Sequence, residues 1–224
     1  AYYAREMGLP IAKLICASNE NRVLTDFIET GVYDRNREFH TTTSPSMDIL
    51  ISSNLERLLY DLSGRDDQAV RRMMDNLKTD GKYTVPAEMH QKIRALFAAG
   101  SCDDRRTAET IRDTFQKHGY LLDTHTAVAV AVYEDYRRST GDTTPTVIAS
   151  TANPYKFSDA VLTAVSGPSG AGEFEKVDLL YKATGCEVPA PLASLRGKTP
   201  RFTGVCNRAD MEQTVYDLLH IDAE

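Results

Sequence analysis

No run of apolar residues in this 224-residue chain comes near the length of about 18 that a membrane-spanning helix requires. The longest, around Leu9–Ala12 and Thr126–Val132, are a few residues each, so no transmembrane segment is expected. Cysteine is sparse. Cys16, Cys102, Cys186 and Cys206 are scattered, with no CxxC pair and no histidine at ligand spacing, which argues against a zinc site or a disulfide framework and points to a reducing, cytoplasmic setting. Positive charge is also short: Lys+Arg 26 against Asp+Glu 32 leaves a net charge of −6 and no basic stripe to condense on nucleic acid. Repeats, low-complexity tracts, a P-loop, GxSxG, HExxH and GxGxxG after a strand are all missing.

What is present is ordinary globular material, 42% hydrophobic and 26% charged, enough to bury a sizeable core. Ala1 opens in mid-pattern, and the run to Met7 closes on Gly8-Leu9-Pro10, a helix end without a visible beginning and without a secretory signal. The expectation is a fragment that lacks what precedes it. Ala12–Ala17 is a short apolar run of the kind that forms a strand buried on both faces. Val23–Thr30 follows as a helix capped by Gly31, then Met47–Ile51 as a second strand and Asn54–Leu62 as a helix.

From Arg65 to Gly119 charge rises and helical periodicity dominates, so residues 65–119 read as a helical insertion. His125–Tyr136 is an apolar helix to be buried against the sheet. Thr146–Ser150 is the best strand pattern in the chain, Ser158–Val165 a helix with Ser158 as N-cap, and Asp210–Leu219 an amphipathic tail helix. Gly167–Gly172 and Pro189–Pro191 read as surface loops. Strands alternating with helices give an α/β architecture with a mostly parallel sheet and flanking helices.

Ligands bind such sheets beyond the carboxyl ends of the strands. Two loops at those ends are rich in hydroxyls and amides, Ser18–Asn21 and Ser150–Phe157, although Ser, Asn and Pro are also what plain turns use. Surface placement is the simplest assignment for His40, His90, His118 and His220.

The words of the sequence then become specific. Leu14-Ile15-Cys16-Ala17-Ser18-Asn19-Glu20-Asn21-Arg22-Val23-Leu24-Thr25-Asp26-Phe27 and Ser44-Pro45-Ser46-Met47-Asp48-Ile49 strongly resemble the bacterial threonine synthases. Ser150-Thr151-Ala152-Asn153-Pro154-Tyr155-Lys156-Phe157 is similar to their STAHPAKF segment, with Asn for His and Tyr for Ala. Asp123-Thr124-His125-Thr126-Ala127-Val128 resembles their DPHTAVG segment, with Thr124 where the family has Pro, a change that bears on the local backbone. The resemblance runs essentially from end to end.

It implies the tryptophan-synthase-β-like fold in part, residues 1–224 being the carboxyl-terminal part of the large domain that binds pyridoxal 5'-phosphate. The implied reaction converts O-phosphohomoserine and water to threonine and phosphate. The Schiff-base lysine and the glycine-rich phosphate loop have no counterpart here, so this chain alone is expected to be inactive and to want the missing amino-terminal segment or another copy of itself. By similarity, Thr151 faces the pyridine nitrogen, with Ser150 and Asp123 beside the cofactor and His125 near the ring. Asn19, Asn21, Ser46, Asn54, Arg57 and Lys156 are the candidate substrate contacts, Arg57 by bidentate grip on an anion. A threonine dehydratase or cysteine synthase would share the cofactor but lack the SPSMDI and NPYKF words. A non-catalytic binding or regulatory domain of the same fold is the other alternative.

Overall fold

The computed structural model describes residues 1–221 and opens with a short helix, α1 (Tyr2–Glu6). Its first strand, β1, is Leu14–Ser18, and it pairs in parallel with β4, Phe97–Ser101, from Leu14 opposite Phe97 to Ser18 opposite Ser101. Because successive strand side chains point to opposite faces, this half-buried pair meets an apolar cluster on each. Cys16 and Ala99 lean on a cluster around Val23, Phe27, Tyr33, Leu59 and Ile93. Ile15 and Ala17 lean on a second cluster around Cys102, Val128, Ala131 and Val132.

The first cluster is supplied by α2 (Val23–Thr30), α3 (Leu55–Leu62), α4 (Asp67–Thr79) and α5 (Ala87–Leu96), with the antiparallel pair β2 (Val32–Asp34) and β3 (Lys82–Thr84). Tyr33 and Tyr83 lie opposite one another in that pair, and their rings stack 5.3 Å apart. Such cross-strand aromatic pairs stabilise a sheet that has few hydrogen bonds of its own. As expected, Gly31 ends α2 in the left-handed region, φ 77°. Any Cβ there would meet the His90 ring at 3.0 Å, and His90 Nε2 sits 3.0 Å from the Ile28 carbonyl. His90 is therefore half-buried at a helix end, not a surface histidine.

The second cluster comes from α7 (Thr124–Thr140) and from Cys102, just past β4; α6 (Asp104–His118) packs on α7 and on α8 (Ser158–Ser166), and α9 (Glu173–Thr184) packs on α8. Helix α7 starts one residue before the expected position and crosses β4 at Gly100, where a Cβ would meet Val132 Cγ1 at 2.8 Å. The close crossing explains why a glycine is used in a strand.

Several expectations need correction. Residues 65–119 are not a purely helical insertion, because they contain β3 and β4, and β4 is the partner of β1. Phe97-Ala98-Ala99-Gly100-Ser101 has only one large apolar residue, so tertiary contact rather than β-propensity selects it as a strand. Met47–Ile51 is not a strand. Pro45–Met47 is a single 3-10 turn, and the carboxylate of Asp48 then folds back on the preceding main chain. Thr146–Ser150 is not a strand and has no ladder partner among the described residues. Ser158 is the first residue of α8 and Phe157 its N-cap.

The chain divides into two units, Ala1–Val188 and Pro189–Glu224. The second holds α10 (Ala190–Ala193) and α11 (Met211–Leu219), on which Met211, Val215, Leu218 and Leu219 are exposed. No helix among the described residues is long and apolar enough to cross a membrane, and none of their acidic, histidine or cysteine side chains gather in a group able to hold a metal ion.

Candidate functional site at the carboxyl edge of the strands

Beyond the carboxyl end of β1 the chain turns at Asn19 and Asn21, both nearly devoid of solvent contact. Their amides are held by a loop that arrives from residues 40–48. Asn19 Nδ2 donates to Asp48 Oδ1 at 2.7 Å and to Thr42 Oγ1 at 2.8 Å, while Asn19 Oδ1 accepts from the Asn21 main-chain N–H at 3.0 Å. Asn21 exchanges hydrogen bonds with the main chain of His40, donating at 2.8 Å and accepting at 3.0 Å. Asp48 is the hub. Its Oδ1 accepts from both amides and from the Thr42 hydroxyl, and its Oδ2 accepts from the Thr42 main-chain N–H at 2.9 Å. The same loop is fastened to the first turn of α6, where Asp104 Oδ1 accepts from the Thr43 hydroxyl at 2.8 Å.

A second group forms at the start of α7. Asp123 is its N-cap, accepting at Oδ1 from the main-chain N–H groups of His125, 2.9 Å, and Thr126, 3.3 Å, and at Oδ2 from the Thr126 hydroxyl. A carboxylate is well placed there, since the first-turn N–H groups carry partial positive charge. Thr124 occupies the first helical position, where proline is also favoured, so the departure from the family pattern leaves the backbone undisturbed. Thr126 Oγ1 lies 3.1 Å from Ser150 Oγ, which fixes the end of the 146–150 segment at this helix.

The two groups meet through His125, whose Nε2 receives the Ser46 main-chain N–H at 3.1 Å. The two hydroxyl- and amide-rich loops are thus joined along one edge by a continuous polar chain from Asn19 to Ser150.

The loop after Ser150 is shaped by the two residues that differ from the family segment. Asn153 caps the 3-10 turn Pro154–Phe157 by accepting from the Tyr155 N–H at 3.0 Å. Tyr155 is buried, and its hydroxyl donates to the Cys186 carbonyl. Phe157 then lies against the His125 ring, centroids 4.7 Å apart. Burial pushes the Cys102 thiol, at the end of β4, above its ordinary value and keeps it protonated and unreactive.

The expected site residues are distributed as follows. Asn19, Asn21, Asp123, Ser150 and the backbone of Ser46 share the polar edge. The amides of Asn19 and Asn21 and the oxygens of Asp123 are engaged by neighbouring protein groups. Thr151 and Lys156 are exposed on the adjoining loop, with the Lys156 ammonium 5.5 Å from the Phe157 ring centroid. Asn54 and Arg57 are elsewhere. Arg57 Nη2 donates to Asn54 Oδ1 at 2.6 Å, and Arg57 lines a shallow groove with Tyr3, Tyr60 and Asp67 that includes no residue of the polar edge. Thr42, Ser44, Asp104 and Thr126 were not singled out from the sequence. The run Thr41-Thr42-Thr43-Ser44 ahead of Asp48 was the signal available, a cluster of hydroxyls too dense for an ordinary turn.

Residues 126–215 match the family profile described as threonine synthase, C-terminal. Threonine synthase of Pseudomonas aeruginosa is 40% identical over 196 residues, which take in 87% of this chain and 41% of that protein. Human threonine synthase-like 1 is 42% identical over 166 residues, 74% of this chain and 22% of that one. Among solved structures, yeast threonine synthase aligns with a TM-score of 0.81 at 35% identity, covering 97% of this chain and 43% of its own. The PLP-bound threonine synthase from Brucella melitensis aligns with a TM-score of 0.69 at 43% identity, covering 80% and 38%. The chain spans about two fifths of the length of these synthases.

Proposed function

The chain belongs to the threonine synthase family, and from that premise we propose that its polar edge forms one wall of an active site that converts O-phosphohomoserine and water to threonine and phosphate. The observation that carries this reading is the gathering of Asn19, Asp48, His125, Thr126 and Ser150 at the carboxyl ends of two parallel strands, where open α/β sheets bind ligands.

Pyridoxal phosphate is the cofactor of this reading, and the residues present fit one end of it. Thr151 follows a serine that is tied to the helix, and its exposed hydroxyl offers a neutral partner for a ring nitrogen. The N–H groups at the start of α7 are already taken by Asp123, so this helix end does not cradle the phosphate. When bound, the cofactor would supply an electron sink for breaking carbon–hydrogen bonds of the substrate. The Thr151 hydroxyl would hold the pyridine nitrogen by a hydrogen bond without protonating it, keeping the ring in place and limiting the strength of the sink. Ser150, fixed by Thr126, sets where Thr151 stands. Asn19 and Asn21 act as scaffold, giving the wall a rigid shape without a charge that would compete for the reacting amine. Lys156, exposed on the loop after Thr151, adds positive charge beside this wall. Ser46, on the loop of residues 40–48, borders the substrate, whereas Asn54 and Arg57 serve the α3 surface.

The test replaces the matching segment of the Saccharomyces cerevisiae enzyme with this chain and follows phosphate and threonine formed from O-phosphohomoserine. Equal amounts of both are expected, with turnover reduced up to about tenfold by Thr151→Ala, the worth of one neutral hydrogen bond, and cofactor binding reduced less. A folded chimera that binds the cofactor but releases no phosphate overturns the proposal.

A further inference from the structure

One side chain at the polar edge touches three segments at once, and the proposed reaction does not use it. His125 is 8% exposed, with Nε2 3.1 Å from the Ser46 main-chain nitrogen, Nδ1 3.2 Å from Asp123 Oδ1 and 3.3 Å from Thr124 Oγ1, and its ring face against Phe157. A main-chain N–H can only donate, so Nε2 must present its lone pair there. The ring proton then resides on Nδ1, where the Asp123 carboxylate accepts it.

The order aspartate, histidine, serine invites a nucleophilic reading that the geometry rejects. The lone pair that would take a hydroxyl proton is occupied by a main-chain N–H, and Ser46 offers its backbone rather than its hydroxyl to the ring. Met47, next in the chain, already packs against the cluster of Val128 and Val132. An apolar contact of that kind is non-directional, and the bond from Ser46 supplies the register it lacks.

We propose that His125 is a positioning residue, locked as its Nδ1–H tautomer by Asp123, whose Nε2 pins the Ser44–Asp48 turn to the start of α7. The pinned turn carries Asp48, which in turn holds the amides of Asn19 and Asn21. Phe157 fixes the plane of the ring, so the loop that carries Thr151 and the turn that carries Asp48 share one reference point. The inference rests on the proposed function only for what the pinned turn serves. The pin is a property of this chain and is measurable without turnover.

The experiment uses the 15N-labelled chain. Long-range proton–nitrogen correlations of the His125 ring are expected to show Nδ1 protonated and Nε2 bare, and the Ser46 amide is expected to exchange slowly with solvent. His125→Gln places an acceptor oxygen near the position of Nε2 and should keep most of that protection. His125→Asn reaches only the position of Nδ1, and should raise Ser46 exchange by about tenfold, the loss of one hydrogen bond, while the amides of the β1–β4 ladder keep theirs. An Nε2–H tautomer, an unprotected Ser46 amide in the unaltered chain, or equal exchange in the Gln and Asn variants overturns the pin. Should His125→Asn fail to fold, the tautomer and the Gln variant still decide. A chimera without turnover but with a protected Ser46 amide overturns the proposed function and leaves the pin standing. An active chimera with an unprotected Ser46 amide does the reverse.

Discussion

Leu14–Ser18 and Thr146–Ser150 have closely similar sequences, each a five-residue run of small and apolar residues that ends in serine and leads into a polar loop. Their surroundings differ completely. The first is a strand with β4 at its side and an apolar cluster on each face. The second has no regular structure and no ladder partner among the described residues, and Val147 is 95% exposed. Apolar pattern makes a segment fit to be a strand, but its main-chain N–H and C=O groups still need a neighbour. In Leu14–Ser18 that neighbour comes from Phe97–Ser101, which the sequence pattern conceals. Both segments nevertheless end at the same polar edge, one at Asn19 and the other at Ser150.

The comparison breaks most visibly at the buried end. Ile93 is fully enclosed in the cluster against which Cys16 leans. Ile93→Ala is expected to cost about 2–5 kcal/mol, the transfer term plus the cavity left behind. The chain has 11 tyrosines and no tryptophan, so the urea midpoint is best followed by circular dichroism. A shift within error would mean that the α2–α5 cluster does not support the strand pair.

A smaller effect is expected where the strand end meets its loop. Asp48→Ala removes the acceptor of the Thr42 N–H and of both asparagine amides, and groups left unsatisfied at this depth cost about 1–3 kcal/mol. Asp48→Asn keeps Oδ1 as an acceptor but turns an amino group towards the Thr42 N–H, so its midpoint should fall between those of the parent and the alanine variant. If the asparagine variant is the less stable of the two, Asp48 is not the hub of the network.

These expectations also show what was legible in the sequence. The helices with a clear apolar face and a terminal glycine, such as Val23–Thr30, were legible because both period and stop signal are local. So was the sharing of one edge by Asn19 and Ser150, which follows from two strand-like runs in an α/β chain. Strand β4 was not, because alanine, glycine and serine carry no β signal and Gly100 is chosen for the passage of Val132. Asp48 read as part of a strand, Met47–Ile51, and its carboxylate gathers partners from positions 19, 21 and 42, a convergence that no spacing rule reveals. Arg57 looked like an anion grip, yet its partner is Asn54 one helical turn away.

The thiols sharpen the comparison by pH. Burial against the first cluster pushes Cys16 up to about 11, while Cys206 is exposed. A thiol whose folded-state value is raised stays protonated in the fold and ionises first in the unfolded chain. Its contribution to stability is therefore complete below about 9 and is lost as the pH rises from there towards 11. Iodoacetamide at pH 8 should modify Cys206 readily and Cys16 only after unfolding, as read by peptide mass spectrometry. Equal labelling of the two would show that the cover on β1 opens freely.

The smallest effect belongs to the unpaired segment. Val147 contributes almost none of its surface to the interior of this chain, so Val147→Ser should move the urea midpoint by no more than the equivalent of about 0.5 kcal/mol. The same substitution in the chimera with the yeast enzyme is expected to matter far more if Thr146–Ser150 acquires strand neighbours there, since it then removes a buried β-branched side chain from a ladder. Amide exchange at positions 146–150 provides the independent check, fast in this chain and slow in the chimera. Slow exchange in this chain alone would mean that the segment already has a partner, and the contrast with Leu14–Ser18 would then disappear. Fast exchange in both proteins would instead place Thr146–Ser150 outside any sheet, and the position of Thr151 would depend only on the contact between Ser150 and Thr126.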